Sequence, residues 1–407
     1  MPTLNEVLIS KGAEYAPFDT SRAKRIYDSI APIFGFEKCF GTKCKVIHII
    51  GTNGKGSTGR FITMGLEQQG KSVLHFSSPH LFSFNERFFV SRGDFRGEIS
   101  QSKLESIHQK LWAIESVREA SYFEYATFLA LVLGMEYEYL VLEAGVGGEF
   151  DSTSVIKANA SVFTLIGLDH QEILGENIEQ IAKTKLEAMS GYTILARQND
   201  KEVERIALEI ASQKALQCAL WEGMDKILGE QEKAFYEYVK RYNLPVFLRE
   251  NLSNAMRVLA FFGMKFDFAT LGRLSLRGRC EILAKNIVLD VGHNIDGARA
   301  LRAFLGDKKV NLVYNSYIEK DIRAILRELL PNIKKVLILS VQNSRICPRQ
   351  RLVKILESLQ IAFMDFDIAT MSESETYLIF GSFSVAQEFL QQYTMTTRQG
   401  EVQCKIN

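Results

Sequence analysis

The feature that most constrains this chain is a short glycine-rich run between a β-branched segment and an amphipathic one. The stretch is Ile49-Ile50-Gly51-Thr52-Asn53-Gly54-Lys55-Gly56-Ser57-Thr58. Its first glycine follows the β-branched residues of the segment 46–50. A buried strand, a tight turn and the start of a helix have this pattern. Such a turn directs backbone N–H groups and the positive end of a helix dipole at one point, which favours a polyphosphate.

The loop differs in spacing from the common Walker phosphate-binding motif. Only two residues separate Gly51 from Gly54, and a glycine lies between Lys55 and Ser57. The chemistry is nevertheless present, because the lysine supplies charge for the outer phosphates and the serine a hydroxyl for their Mg²⁺. The alternative is a glycine-rich turn that binds nothing. We favour the nucleotide loop, and its binding residues are then Thr52, Asn53, Gly54, Lys55, Gly56, Ser57 and Thr58.

Length and composition limit the class of protein. A chain of 407 residues exceeds what one hydrophobic core usually organises, so we expect two domains. The formal net charge of +1 gives no support for a nucleic-acid or membrane partner. The six cysteines lack zinc-like spacing, and no apolar stretch approaches the length of a membrane span. We therefore expect a soluble cytoplasmic protein with ordinary thiols.

After residue 44, short β-branched runs alternate with longer amphipathic runs, which predicts an α/β protein with mainly parallel sheets. The predicted strands are 46–50, 72–76, 139–142, 161–166, 192–195, 286–290, 311–314, 336–341 and 377–380. The predicted helices are 58–69, 123–135, 178–189, 203–215, 251–262, 298–305, 321–329 and 352–359. We place an ATP-binding domain at 1–283 and a smaller Rossmann-like α/β domain at 284–407, with a weaker pattern over 221–250.

Two further predicted strands run into loops that carry metal-ligand candidates. Glu143 ends one strand and precedes a glycine-rich loop, so it could hold Mg²⁺ directly or through water. The alternative is a solvated loop glutamate. His170 follows the next strand, but imidazole is an uncommon Mg²⁺ ligand. From the residues alone, His170 stays open between a ligand and a structural side chain.

Two more loops contain ring and charged side chains. The segment 77–87 includes Ser78, Pro79 and His80 together with aromatic residues, which is typical of a stacking pocket for a flat heterocycle and equally of a core-packing loop. Asp290 and His293 follow the first strand of the second domain. A ligand site at a domain junction has such groups, although a solvated loop is the simpler interpretation.

Taken in order, these stretches resemble the folylpolyglutamate synthase/dihydrofolate synthase family, within the Mur ligase superfamily, over about residues 18 to 390. The matching segments are Gly51 to Ser57, Ser77-Ser78-Pro79-His80-Leu81 with Glu86-Arg87, Phe123-Glu124, Leu142 to Gly148, Gly167 to Gln171, and Asp290 with His293-Asn294. The resemblance implies a P-loop-containing domain of the Mur ligase central type with folate-binding loops at 1–283, and a Mur-ligase-type glutamate ligase domain at 284–407.

The resemblance also implies roles for individual residues. Besides the loop, the nucleotide would contact Asn254, Arg279, Asp290 and His293. Two Mg²⁺ ions would be held by Ser57, Ser78, Glu143, His170 and a carbamylated Lys185, and the catalytic residues would be Lys55, His170 and Lys185. Carbamylation converts a cation into an anionic oxygen donor, which Mg²⁺ prefers. The substrate-binding residues would be Asp19, Pro79, His80, Tyr122, Phe123, Glu124, Phe150, Asp151 and Ser152.

Some positions depart from the family pattern. A family arginine is replaced by Glu149, and further differences occur at Thr153-Ser154, Glu250-Asn251, Tyr314-Asn315 and Glu319-Lys320-Asp321. These changes leave the predicted ATP and metal residues intact, and they leave the substrate preference open.

The implied activity is ATP-dependent ligation of L-glutamate to a pteroate or folate carboxylate through an acyl phosphate, carried out by a monomer. One alternative is a Mur-type ligase that acts on another carboxylate. A peptidoglycan-precursor ligase would carry a nucleotide-sugar domain of roughly a hundred residues before the loop, and we expect none. The other alternative is an ATP-binding regulator that performs no ligation.

Overall fold

The computed structural model describes residues 1–12 and 19–404, with side chains through residue 395. The chain divides into two compact units, Met1–Ser275 and Leu276–Asn407. Within the described residues, no helix has both the length and the hydropathy needed to cross a bilayer.

The first unit is an eight-stranded sheet covered by helices on both faces. Its strands are β1 (Lys45–Ile50), β2 (Val73–Phe76), β3 (Phe88–Arg92), β4 (Phe95–Glu98), β5 (Tyr139–Glu143), β6 (Ala160–Phe163), β7 (Tyr192–Leu195) and β8 (Cys218–Ala219). Its helices are α1 (Leu4–Lys11), α2 (Arg22–Phe34), α3 (Phe36–Cys39), α4 (Lys55–Gln68), α5 (Gln101–Trp112), α6 (Tyr122–Gly134), α7 (Gln171–Leu174), α8 (Ile178–Leu186), α9 (Lys201–Gln213), α10 (Met224–Leu228), α11 (Glu232–Tyr242) and α12 (Val246–Phe261).

The strand order places the predicted loops together. The order is β4-β3-β2-β5-β1-β6-β7-β8, and the pairs from β2 to β8 are parallel. The chain returns from β1 to both of its sides, first to β5 and then to β6, so β1 lies at the topological switch point. The loops that follow β2, β5, β1 and β6 therefore leave the same sheet edge side by side, where ligands bind in such folds.

Alternate residues of the strands serve the two faces. On one face, Val46, Leu74 and Leu140 pack with apolar residues of α2, α5 and α6. On the other face, Ile47 and Val141 pack with α4, α11 and α12. Because β1 is buried on both faces, its sequence is largely apolar, as expected for a central parallel strand, and the buried His48 within it is paired with the Thr153 hydroxyl at 2.8 Å. This packing fixes α4, and with it the glycine-rich loop, against the sheet.

The second unit is a six-stranded sheet of order β13-β12-β11-β14-β10-β9. Its strands are β9 (Glu281–Ala284), β10 (Ile287–Leu289), β11 (Val310–Tyr314), β12 (Ile333–Ile338), β13 (Phe363–Asp365) and β14 (Tyr377–Phe380), and its helices are α13 (Ile295–Leu305), α14 (Ile322–Leu329), α15 (Arg349–Ser358) and α16 (Phe383–Cys404). All pairs are parallel except that of β9 with β10. The domain junction predicted between 283 and 284 lies within β9, whereas the first compact unit ends at Ser275 and the second begins at Leu276.

The mainly parallel α/β architecture predicted from the sequence is confirmed, with local corrections. The strand predicted at 161–166 ends at Phe163, because Leu165 instead forms a bridge to Asn53 of the glycine-rich loop. The antiparallel hairpin of β3 and β4 was not predicted, and neither were α10 and α11 within 221–250. Helix α12 begins at Val246, five residues before the predicted start at 251.

Candidate nucleotide and metal site

The glycine-rich loop is joined by hydrogen bonds to the loop that follows β6. The N–H groups of Thr52 and Asn53 donate to the Leu165 carbonyl at 2.8 and 3.2 Å. The Thr52 hydroxyl donates to the Gly167 carbonyl at 3.1 Å and accepts the Gly167 N–H at 3.1 Å. The two loops therefore form one framework at the sheet edge.

Two glycines of the loop are required by close approach. Gly54 has φ +93°, and a Cβ there would lie 2.6 Å from Oδ1 of Asn251. A Cβ on Gly51 would lie 2.0 Å from Oγ1 of Thr164. Neither Asn251 nor Thr164 was predicted as a neighbour of the loop, because each is distant from it in sequence.

The start of α4 fits a polyphosphate. Gly54 precedes the helix and provides no side-chain cap, so the N–H groups of the first turn point outward without an intrahelical acceptor. In the described part of the chain, the buried atoms Oγ1 of Thr58 and Oδ1 of Asn254 have no hydrogen-bond partner. A buried polar atom normally has one. Nucleotide oxygen and nitrogen atoms would supply the missing partners, so the predicted nucleotide residues of this unit fit the ligand.

Two amines converge on the carbonyl of Gly51. Nζ of Lys55 and Nζ of Lys185 each lie 3.2 Å from that oxygen. Lys185 is only 4% exposed. Burial and, to a smaller extent, the charge of Lys55 lower the pKa of Lys185 to about 7, against the opposite effect of Asp169 and Asp151. A substantial fraction of Lys185 is thus a neutral amine near pH 7, and a neutral amine is the nucleophile that carbamylation requires.

The predicted metal ligands are brought to the same edge, although not as a cluster of protein ligands. The backbone N–H of Ser78, after β2, donates to Oε2 of Glu143 at 3.3 Å, and both residues are buried. His170 has φ +50° at the start of α7, with Nδ1 3.5 Å from the Glu172 carboxylate. Among the described residues there is no group of three or more His, Cys, Asp or Glu side chains that could hold a metal. Besides Glu143 and His170, the predicted ions would therefore need serine hydroxyls, the modified lysine and phosphate oxygens as ligands.

The loop after β5 is organised by the carboxylate of Asp151. Its Oδ2 accepts the N–H groups of Gly145 and Val146 at 2.9 Å each, and its Oδ1 accepts the N–H and hydroxyl of Thr153. Burial raises the pKa of Asp151, against the opposing effect of these hydrogen bonds. Ser152 is also buried and lies 2.7 Å from the Thr127 hydroxyl. Two predicted substrate residues thus hold the loop itself in place, whereas Phe150 beside them is 41% exposed.

Glu124, another predicted substrate residue, has its carboxylate engaged within the protein. Oε2 accepts the N–H of Ser121 and Nε of Arg22, both at 2.7 Å. Oδ1 of Asp19 in turn accepts the N–H groups of Ser21 and Arg22 at 2.8 and 3.1 Å. These contacts fix Arg22 between the start of α2 and the start of α6. No motif in the sequence pointed to that arginine.

The segment after β2 forms a cluster of rings beside a buried arginine. Nε of Arg87 donates to Nδ1 of His80 at 2.9 Å, so Nδ1 is the unprotonated nitrogen. The His80 ring meets Phe84 edge-on at 6.3 Å, and Phe84 meets Tyr122 edge-on at 5.8 Å. Phe123 is buried 5.9 Å from the Phe76 ring. The cluster combines packing with partly exposed ring surface, and Pro79 is partly exposed beside it.

The predicted nucleotide residues of the second unit surround the end of β10. The buried carboxylate of Asp290 accepts the N–H of Cys280 at 2.8 Å and of Gly292 at 2.7 Å. Burial raises the pKa of Asp290, while Arg279, these hydrogen bonds and His293 act to lower it. Arg279 lies 5.1 Å from the Phe383 ring centre. Asp290, Arg279 and His293 are thus brought together within this unit.

The departures from the family pattern have structural positions. Glu149 is exposed, but its N–H donates to the Thr184 carbonyl at 2.9 Å, next to Lys185. Glu250 pairs with Arg197 at 3.0 Å. Asn315 is buried and donates to the Leu339 carbonyl at 2.9 Å. None of these side chains disturbs the amines at Gly51.

The chain has relatives of known family. Residues 49–261 match the Mur ligase middle domain. Helicobacter pylori folylpolyglutamate synthetase is 39% identical, with a TM-score of 0.75 and coverage of 96% of this chain and 98% of that one. A bifunctional folylpolyglutamate synthase/dihydrofolate synthase from Yersinia pestis c092, complexed with AMPPNP and Mn ion, shares the fold at 21% identity, with a TM-score of 0.80 and coverage of 97% and 98%.

A relative by sequence gives the same result. The dihydrofolate synthase/folylpolyglutamate synthase of Bacillus subtilis (strain 168) is 27% identical in an alignment of 321 residues, with coverage of 70% of this chain and 74% of that protein. The domain match, the 39% identity over nearly the whole chain and the glycine-rich loop agree. The chain therefore belongs to the folylpolyglutamate synthase/dihydrofolate synthase family of Mur ligases.

Proposed function

We propose that this protein is an ATP-dependent acid–amino acid ligase that joins L-glutamate to the carboxylate of a pteroate or folate. The observation that carries the proposal is the convergence of Lys55 and Lys185 on the Gly51 carbonyl, beside the uncapped start of α4. Lys55 and the start of α4 concentrate positive potential where the phosphates of ATP would lie, and Lys185 is the candidate for carbamylation beside them. Family membership supports the identity of the two substrates.

The reaction occurs in two balanced steps. A carboxylate oxygen of the acceptor attacks the γ-phosphorus of ATP, the bond from that phosphorus to the β,γ-bridging oxygen breaks, and ADP leaves. The amino group of L-glutamate then attacks the acyl carbon, loses a proton and expels phosphate. Phosphoryl transfer requires mainly positioning and charge stabilisation, and in this chain Lys55 and the first-turn amides of α4 provide both.

The residues around the loop also suit divalent metal. Ser57, Ser78, Glu143 and His170 would hold Mg²⁺ together with Lys185 after its carbamylation, and the ions would neutralise charge on the phosphates and on the acyl phosphate. In its unmodified state, Lys185 adds a second positive charge beside Lys55, which lowers its own pKa. Carbamylation would replace this repulsion by attraction.

The acceptor would bind at the ring cluster and the adjoining loops. The partly exposed rings of His80 and Tyr122 offer stacking surface for a flat heterocycle. The carboxylate of Glu124 holds Arg22 and therefore acts by positioning the arginine. The cytoplasmic location and the monomeric state remain predictions, which fractionation and light scattering would test.

Lys55→Ala tests the proposal. We expect ADP release that depends on both acceptor and L-glutamate to fall by about a hundredfold or more, because one preorganised cationic group on the transferred phosphoryl is lost. The matched control is Lys183→Ala, which removes an exposed lysine from α8. Dihydropteroate and tetrahydrofolate, assayed separately, identify the acceptor.

Two results would contradict the proposal. Near-normal activity of Lys55→Ala would remove the loop from the mechanism. ATP binding by the wild-type protein without ADP release for any pair of acceptor and amino acid would favour the ATP-binding regulator.

A further inference from the structure

The second unit contains a groove of about 660 Å³ between the start of α14 and the first turns of α15. Four of its nine lining residues are cationic, namely Lys320, Arg323, Arg351 and Lys354. Arg351 and Lys354 are three positions apart on α15, so they share one face of that helix. The volume is within the range of about 300–1,000 Å³ that is typical of small-molecule sites.

Three of these charges are not neutralised by the protein. Arg323, Arg351 and Lys354 are exposed, and none of them forms an ion pair with a carboxylate among the described residues. Cations just outside the groove do form ion pairs, Arg345 with Glu319 and Arg349 with Asp365. Since the whole chain carries a formal charge of only +1, this excess is local. The groove therefore favours a ligand with several negative charges.

The one carboxylate that lines the groove does not cancel the excess. Oδ1 of Asp321 accepts the N–H of Ala324 at 3.0 Å and so caps α14. A capping carboxylate is partly neutralised by the helix dipole. The groove keeps a net positive potential.

The other lining residues indicate which kind of anion fits. Pro348, Ile322 and Ile355 contribute apolar surface, and none of the nine lining residues is aromatic. Binding of single-stranded nucleic acid usually relies on aromatic rings that stack with bases. A ligand whose carboxylates are joined by methylene groups matches the alternating cations and apolar surface of the groove better than a nucleic acid does.

We propose that this groove binds an oligoglutamyl chain, and this inference rests on the proposed function. Each ligation consumes one carboxylate and introduces two, so the product gains one negative charge per added glutamate. Repeated ligation would thus produce a flexible chain of carboxylates and methylene groups. The cations of the groove would bind successive carboxylates, and the affinity would rise with the number of glutamates.

Binding of free γ-linked tetraglutamate to the full-length protein tests the inference. Isothermal titration would compare the wild type with the triple variant Arg323→Gln, Arg351→Gln, Lys354→Gln. We expect the variant to bind about tenfold more weakly or worse, because three exposed charge interactions are removed. We also expect wild-type affinity to fall as salt is raised from about 0.05 to about 0.3 M, because the Debye length shortens about 2.5-fold over this range.

The matched control is Lys285→Gln, Lys308→Gln, Lys309→Gln, which removes three exposed cations of the same unit outside the groove. Equal loss of affinity in the two triple variants, or no binding by the wild type, would overturn the inference. Tighter groove-dependent binding of a thymidine tetranucleotide would overturn it as well, and would assign the site to phosphates.

The test of the groove and the test of the proposed function can fail independently of each other. A wild-type protein that releases no ADP with any acceptor and L-glutamate would refute the ligase. The difference between the two triple variants in tetraglutamate affinity would still report on the groove.

Discussion

Replacement of Lys185 by methionine should make the protein more stable at low pH, and the gain should shrink as the pH rises. The pKa of this lysine falls from an ordinary 10.5 to about 7 in the folded protein. The folded state therefore binds fewer protons than the unfolded state between these two values, and the free energy of unfolding rises with pH across that window. Below about pH 7 the full penalty for a buried ammonium is present, and it disappears as the pH approaches 10.5.

The magnitude follows from the two pKa values. A difference of about 3.5, at about 1.36 kcal/mol for each pKa unit, gives a penalty on the order of 5 kcal/mol below pH 7. Methionine removes the penalty but also the hydrogen bond to the Gly51 carbonyl, which contributes about 1.5 kcal/mol. At pH 6 the variant should thus be about 3 kcal/mol more stable. Between pH 6 and pH 9 the advantage should fall by about 2.5 kcal/mol.

Urea unfolding at pH 6, 7, 8 and 9 measures this difference, with chelator present and dissolved CO₂ removed. All other groups titrate in both proteins, so the difference isolates Lys185. The control is Lys183→Met, on the exposed face of the same helix, for which we expect no comparable trend. A stability difference between variant and wild type that stays constant over this pH range would refute the reasoning. Added bicarbonate at pH 8 should stabilise the wild type alone if the neutral amine is carbamylated.

Two further substitutions test the loops. Gly54→Ala should weaken ATP binding, measured by calorimetry, by about tenfold or more, because φ is +93° and the new Cβ would meet Asn251. The control is Gly70→Ala, which has a similar backbone demand at φ +67° but nothing within 4 Å of its Cβ. Equal ATP affinity in the two variants would contradict the clash with Asn251 as the cause. Asp151→Asn should lower the free energy of unfolding in urea by about 2–3 kcal/mol, because an amide cannot accept all four hydrogen bonds of the carboxylate. Unchanged urea unfolding with weaker binding of the pteroate or folate substrate would instead support the direct substrate contact predicted from the sequence.

The sheet edge was predictable because it depends on local patterns. Buried parallel strands are largely apolar runs, and the loops after 46–50 and 139–142 begin where those runs stop. Parallel strands with helical connections place such loops at one edge, so the sequence alone assigns Gly51 and Glu143 to it. The hairpin of β3 and β4 lacks that signal, since β4 is short and mostly exposed. Strand β3 joins the hairpin to the sheet by pairing with β2.

The environment of Lys185 could not have been read from the sequence. A lysine on an amphipathic helix is ordinarily exposed, and here its burial arises from a distant segment. A Cβ on Gly148 would lie 2.4 Å from the Lys185 carbonyl oxygen, so the loop after β5 lies directly on α8. The N–H of Glu149 completes this contact through Thr184. The family resemblance pointed to the lysine, but only the fold explains its low pKa.

The contact of Lys55 and Lys185 with one carbonyl oxygen bears on the order of steps in the proposed reaction. Lys55 and Lys185 share one carbonyl oxygen, which can compensate the charge of one ammonium better than that of two. Their mutual repulsion favours loss of a proton from the more buried amine, Lys185, while Lys55 stays available for phosphate. Carbamylation of Lys185 would then convert the repulsion into attraction. We therefore expect the modification to precede tight binding of ATP with Mg²⁺, and with Mg²⁺ present bicarbonate should increase ATP affinity in the wild type but not in Lys185→Met.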